Sequence, residues 1–293
     1  MKLIESKVEY LPQDKDLEGV YKQIEKCGRV SYKSEDKITE DSAEPFVDRM
    51  IKSKHFATLE HGTMYLKWGA PGIYDKVKGH TVYDYVHNPY SKSRECLTKE
   101  SLLRGSVEYK ITTNYRVLVE NNWLDDLRYL CSPTEYHEKR YTFKFTCSRA
   151  IANELIRHRA FSFMQESQRF VNYSKDKFGN EITFIKPSWV KDAAFDANIH
   201  LYNALYAAEV SYFDLLTNGA APQQARDVLP NATKTELIMT GFSSDWRYLL
   251  DLRLFEKTGA VHPDMLDLMK KLQKVAEEAG IWDNIMKHKS KFD

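Results

Sequence analysis

The chain has 293 residues, 42% of them hydrophobic, enough to bury a sizeable core as one domain with an insertion or as two smaller domains. Its 43 Lys and Arg nearly cancel its 42 Asp and Glu. A net charge of +1 argues against a dedicated nucleic-acid binder, which carries a basic face, yet leaves room for local arginine clusters that hold a small anion.

No window approaches the roughly 20 apolar residues of a membrane span, and the N-terminus MKLIESKVEYLPQDKD lacks the apolar stretch of a signal peptide. A soluble, cytoplasmic protein is the expectation. Cys27, Cys96, Cys131 and Cys147 are scattered without paired ligand spacing, which fits reduced thiols in a reducing compartment. The nine histidines form no HExxH or Cys/His cluster, so no metal site is expected.

Residues 42–54 read as a helix, with Ser42 as N-cap, Pro45 in the first turn, and Phe46, Val47, Met50 and Ile51 on one face. Met64, Leu66 and Trp68 alternate with polar neighbours over 63–68, as in a half-buried strand. Tyr141, Phe143 and Phe145 repeat that alternation. Between the two strands, 69–140 is too long for a hairpin loop and reads as an inserted subdomain or lid, with a short helix near 122–131.

A helix over 148–157 places Ile151 and Leu155 on one stripe, and a short strand follows at 182–187. A long helix over about 193–217 stops at Asn218-Gly219, and Pro222 opens another that ends before Pro230. Further helices are expected at 233–241, 245–257 and 263–279.

The chemistry concentrates in R-H-R-A-F-S-F-M-Q-E-S-Q-R, Arg157 to Arg169. Arginine presents a rigid fork of donors suited to phosphates and carboxylates. Gln, Ser and backbone N–H groups supply the donor and acceptor pattern that reads a uracil edge or a phosphate. A solvated basic turn is the bland alternative, weakened by the apolar helix before it and the polar loop after it. Farther on, Trp246, Leu249, Leu250 and Arg253 fall at i, i+3, i+4 and i+7, which turns an arginine along an apolar stripe. Such a guanidinium requires an anionic or strongly polar partner, either a ligand or an internal acidic residue.

Arg157-His158-Arg159, seven residues and then Ser167 resembles the signature of the flavin-dependent thymidylate synthases. Three other stretches fit the resemblance in the right order. Upstream are RVSYKS (29–34) and His55, Glu60 and His61 in H-x-x-x-x-E-H. Downstream are Gly219, Pro222, Ala225 and Arg226 in G-x-x-P-x-x-A-R, and then LDLRLFEKTGAVHPDM (250–265). Together they cover most of 27–68 and 141–280 and leave 69–140 unassigned.

The resemblance implies an α+β fold with a central antiparallel sheet flanked by long helices, assembled as a homotetramer with shared active sites. It implies conversion of dUMP to dTMP, with methylenetetrahydrofolate as carbon donor and FAD, reduced by NADPH, as hydride source. The flavin contacts it implies are His55, Glu60, Arg157, His158, Arg159 and Gln165. The nucleotide contacts are Glu154, Arg157, Gln165, Glu166, Ser167, Gln168, Arg169, Arg226 and Arg253, with Ser167 and Arg253 nearest the reacting pyrimidine. No serine–histidine–aspartate order supports Ser167 as a nucleophile, so a hydroxyl that binds substrate is the better reading. His55 and His61 fit packing roles equally well.

The sequence departs from the family pattern at several points. Met164 and Gln165, with Glu166 next, stand where the family usually has Asn-Glu. Phe242-Ser243-Ser244 replaces Asn-x-Arg, Tyr248 a later asparagine, and Ala57 a Ser or Thr. Two alternatives therefore remain, a related enzyme acting on another pyrimidine nucleotide and a non-catalytic nucleotide-binding homologue.

Overall fold

The computed structural model describes residues 1–69, 79–97, 107–169, 172–174, 179–190 and 195–292. Parts of two expectations, the beginning of the long helix at 193–194 and portions of 69–140, lie outside the described residues. Strands β1 (Lys2–Ile4) and β2 (Lys7–Tyr10) lead into α1 (Leu17–Val30), where the Asp16 side chain accepts from the Gly19 N–H at 2.7 Å and caps the first turn. Helix α2 (Ala43–Lys52) follows, burying Phe46, Val47 and Met50 as the spacing predicts. Then come β3 (Thr63–Gly69), α3 (Val82–Val86), β4 (Lys92–Cys96), β5 (Glu108–Asn114) and α4 (Tyr115–Glu120).

The segment expected as an insertion thus supplies β4 and β5, which join β3 in an antiparallel sheet of order β3-β5-β4. Its apolar side chains, Val82, Tyr85, Tyr109 and Ile111, share one cluster with Val20, Ile24 and Phe46 from α1 and α2. The helix expected near 122–131 is a 3-10 helix at Leu124–Tyr129.

The central layer is a four-stranded antiparallel sheet in the order β2-β6-β9-β7. It adds β6 (Arg140–Ser148), β7 (Ser162–Gln165) and β9 (Lys234–Phe242) to β2. Between β6 and β7 lies α5 (Arg149–Leu155), capped by Ser148 Oγ, which accepts from the Ile151 N–H at 3.3 Å. Strand β8 (Thr183–Ile185) pairs in parallel with β1.

The remaining helices are α6 (Phe195–Thr217), α7 (Pro222–Ala225), α8 (Ser243–Arg253), α9 (Pro263–Glu278) and α10 (Trp282–Met286). Gly219, with φ +90°, takes up the left-handed conformation just past the end of α6, as expected of a C-terminal stop.

Residues 233–241 are not a helix. From Lys234 onward they form β9, an inner strand bonded on both sides, paired with β6 from Arg140↔Phe242 to Ser148↔Lys234 and with β7 from Ser162↔Thr240 to Gln165↔Leu237. Both faces of β9 are covered, so the period-two alternation of a half-exposed strand is absent and Leu237 and Met239 read as helix formers. Leu237 and Met239 join Phe143, Phe145, Trp246, Leu249 and Leu268 in the core under α8 and α9. Ile238 faces the other way, onto Leu11, Cys27 and Val30. The central antiparallel sheet flanked by helices is therefore the observed architecture, and among the described residues no helix is long and apolar enough to cross a membrane.

Candidate active site

Helix α5 packs against β6 and β9 and ends in the Arg157-His158-Arg159 corner, from which the chain turns directly into β7. Arg157 and Arg159 are exposed, and His158 is half-buried. Burial, followed by the charges of Arg253 and Arg157, lowers the His158 pKa to about 4. The ring is therefore neutral near pH 7, and its Nε2 accepts from Arg253 Nε at 3.3 Å.

Arg253 sits at the last turn of α8, beyond the fully buried Trp246, Leu249 and Leu250. Its Nη1 lies 4.0 Å from Glu154 Oε2, with the two side chains 27% and 32% exposed. That loose pair is the internal acidic partner anticipated for this arginine, and it brings Glu154, His158 and Arg253 from two helices to one place.

The stretch after β7 is anchored at both ends. The Glu166 N–H donates to the Glu236 carbonyl at 2.9 Å, and the Ser167 N–H donates to the Ser31 carbonyl at 3.0 Å, just past the end of α1. Ser167 Oγ accepts from the Arg169 N–H at 3.3 Å, and Gln165 Nε2 donates to Thr235 Oγ1 at 3.4 Å. The Glu166 carboxylate is buried against Lys234, at 2.8 Å. Gln168 is buried as well, with its side chain facing the Tyr173 hydroxyl.

His55 is exposed at the head of a 3-10 turn over Phe56–His61, and Glu60 lies 2.5 Å from Arg116 Nη1 on α4. Arg226 is half-buried in the 3-10 turn after α7. Among the described residues, no hydrogen bond or ion pair connects His55 or Arg226 to the Arg253 cluster or to the Ser167 stretch. His61 is completely buried, its Nδ1 2.7 Å from Thr240 Oγ1, and burial followed by the Arg140 charge lowers its pKa to about 3. It is a neutral packing histidine.

Two groups of residues are missed by the sequence alone. Arg140, at the start of β6, is buried, and that burial pulls its pKa down to about 10. Its Nη1 donates to the Glu60 carbonyl at 3.1 Å and to Thr63 Oγ1 at 3.3 Å, and its Nη2 to Ser162 Oγ at 3.4 Å. It thereby ties the His55–His61 turn to the strand that leaves the Arg159 corner. Lys33 and Lys234 are the second group, paired with Glu236 at 2.7 and 3.0 Å behind Ser167. The available signal for Arg140 is an arginine abutting an apolar alternating run. Local sequence shows only their neighbours Glu35 and Glu236; what places them behind Ser167 is the pairing of Lys33 with Glu236 and of Lys234 with Glu166, far apart in the chain.

Exposed guanidiniums at 157 and 159, which have no carboxylate partner among the described residues, fit a phosphate-bearing ligand. The arrangement offers arginine forks, a neutral imidazole and a loop of amides, hydroxyl and backbone N–H groups. It can orient an anionic nucleotide and stabilise charge on its base.

Comparison with known proteins agrees with the motif. The flavin-dependent thymidylate synthases of Corynebacterium efficiens and Mycobacterium avium are each 37% identical to this chain, over 119 and 123 residues. Each alignment covers 37% of this chain and 47% of the relative, so the chain spans about half the length of the curated relatives it matches. Among solved structures, a UMP/dUMP methylase from Streptomyces cacaoi bound with 5-Br dUMP is 17% identical, with a TM-score of 0.45, covering 98% of this chain and 96% of that one. The profile of the family described as thymidylate synthase complementing protein matches residues 91–278, which begins inside the segment left unassigned by motif and takes in the whole Arg157–Arg253 region. With well over half of its 293 residues matched, the chain belongs to the thymidylate synthase complementing protein family.

Proposed function

We propose that this protein is a flavin-dependent thymidylate synthase that methylates dUMP to dTMP, taking the carbon from methylenetetrahydrofolate. The observation that carries the reading is the contact of Arg253 with a neutral His158, which joins the C-terminal arginine helix to the R-H-R corner. Bound FAD, reduced by NADPH, supplies the hydride.

The residues present fit both ligands. Arg157 and Arg159 would hold the flavin's phosphates, with His55, Glu60, His158 and Gln165 on the same side. Gln165, Ser167, Gln168 and Arg169 receive dUMP. Glu154 and Arg226 extend the nucleotide side, and Arg226 takes the phosphate. Arg253 faces the pyrimidine and stabilises negative charge as it develops there. His158, uncharged, accepts from Arg253 and fixes the direction of the guanidinium.

A homotetramer with shared sites accords with His55 and Arg226 standing apart from the Arg253 cluster. Ile199, Tyr206 and Val210 form an exposed apolar stripe along α6 that suits a second copy of the chain, and sedimentation as a monomer at micromolar concentration would remove this part of the proposal. The site assignment is tested by the purified protein itself. It should be yellow, with flavin absorbance released on denaturation. Arg157→Ala with Arg159→Ala should lose the colour while keeping the fold, and a wild type that neither carries nor takes up FAD contradicts the reading.

A further inference from the structure

We infer that Lys33 is a positioning residue for the nucleotide loop, acting through a buried chain of alternating charges that ends at Glu166. The inference rests on the assignment of Ser167 and Gln168 to dUMP given above. Lys33 Nζ lies 2.7 Å from Glu236 Oε2, Glu236 Oε1 lies 3.0 Å from Lys234 Nζ, and Lys234 Nζ lies 2.8 Å from Glu166 Oε2. All four side chains are less than a fifth exposed. Desolvation alone would raise the Glu236 pKa, yet Lys234 and Lys33 hold it down to about 2, so the central link is charged at every working pH.

Glu35, at the exposed outer end, lies 3.3 Å from Lys33 Nζ, while the two ammoniums and the two inner carboxylates cancel, so the chain adds little net field near Ser167 and instead fixes geometry. Its two ends bracket the loop. Lys33 lies two residues past Ser31, whose carbonyl receives the Ser167 N–H, and Glu166 immediately precedes Ser167. Lys33 also holds a left-handed backbone, φ +49°, where glycine would be less strained. The ammonium's ion pairs with Glu236 and Glu35 offset that strain. The Glu166 carboxylate, facing Lys234 inside the protein, orients Ser167 and Gln168 from behind rather than touching the nucleotide.

Lys33→Gly separates this role from a merely structural one, because it relieves the backbone while removing the ammonium. In FAD-loaded protein the expected result is an unchanged or raised Tm with dUMP affinity and KM weakened roughly tenfold and kcat within about twofold, the pattern of lost uniform binding. Lys33→Arg, which keeps the charge, should retain most of the affinity. The second arm is Lys234→Met, which strands Glu166, compared with Lys234→Met plus Glu166→Leu, which removes both charges and should recover dUMP binding. Equal dUMP dissociation constants for wild type and Lys33→Gly would overturn the inference. A flavin-loaded wild type that binds no dUMP would instead overturn the functional reading on which it rests.

Discussion

His158 is partly sealed from water and feels the charges of Arg253 and Arg157, and these causes together lower its pKa to about 4. Removing Arg253 takes away one of the repelling charges and leaves the burial. In Arg253→Ala the His158 pKa should therefore rise from about 4 yet stay below 6.5, which NMR titration of the imidazole reads directly. The sign also fixes a stability trend. A histidine with a folded pKa below its unfolded value stabilises the fold above about pH 6.5, and that contribution is lost as pH falls through about 4. Turnover of Arg253→Ala should drop at least about 100-fold, on the scale of a lost charge-stabilising donor, with Tm little changed. Undiminished turnover would take Arg253 out of the site. The spacing of Trp246, Leu249, Leu250 and Arg253 makes this residue visible in the sequence, because helix periodicity is local. Arg140 and Lys33 are not visible there, since their partners at Ser162 and Glu236 come from far along the chain.

Among the elements, β9 carries the most of the site. It pairs with β7 below the R-H-R corner, holds Lys234 and Glu236 behind Ser167, and leads straight into α8 and Arg253. Near its end, a Cβ at Gly241 would overlap the Phe161 ring, which itself packs on Trp246 with ring centroids 4.6 Å apart. Gly241→Ala should cost about 1–3 kcal/mol in denaturant unfolding through overpacking, and should weaken flavin retention by moving Phe161 and the corner before it. A variant as stable as wild type would mean that the core around Phe161 yields more readily than its packing implies. The amphipathic helices α2 and α9 are legible in the sequence because each has one wet face. Strand β9 is not, because tertiary burial of both faces erases the alternation that distinguishes a strand.

For the whole molecule, the order of the motifs identifies the family from sequence alone, and the antiparallel sheet between helices is the architecture that order implies. The 69–140 segment is opaque because its strands make sense only beside β3, with which β5 pairs from Thr63↔Asn114 to Gly69↔Glu108. The departures at Met164, Gln165 and Phe242–Ser244 lie within or beside β7 and β9, and the sheet forms with them in place. What they leave to be decided is chemistry. The most direct measurement is tritium release from carbon-5-labelled dUMP by the FAD-loaded protein, supplied with NADPH and methylenetetrahydrofolate. Release that accompanies dTMP formation, and stops when either co-substrate is withheld, is the predicted result. Tight dUMP binding without release or dTMP, in protein that carries reduced flavin, would contradict it.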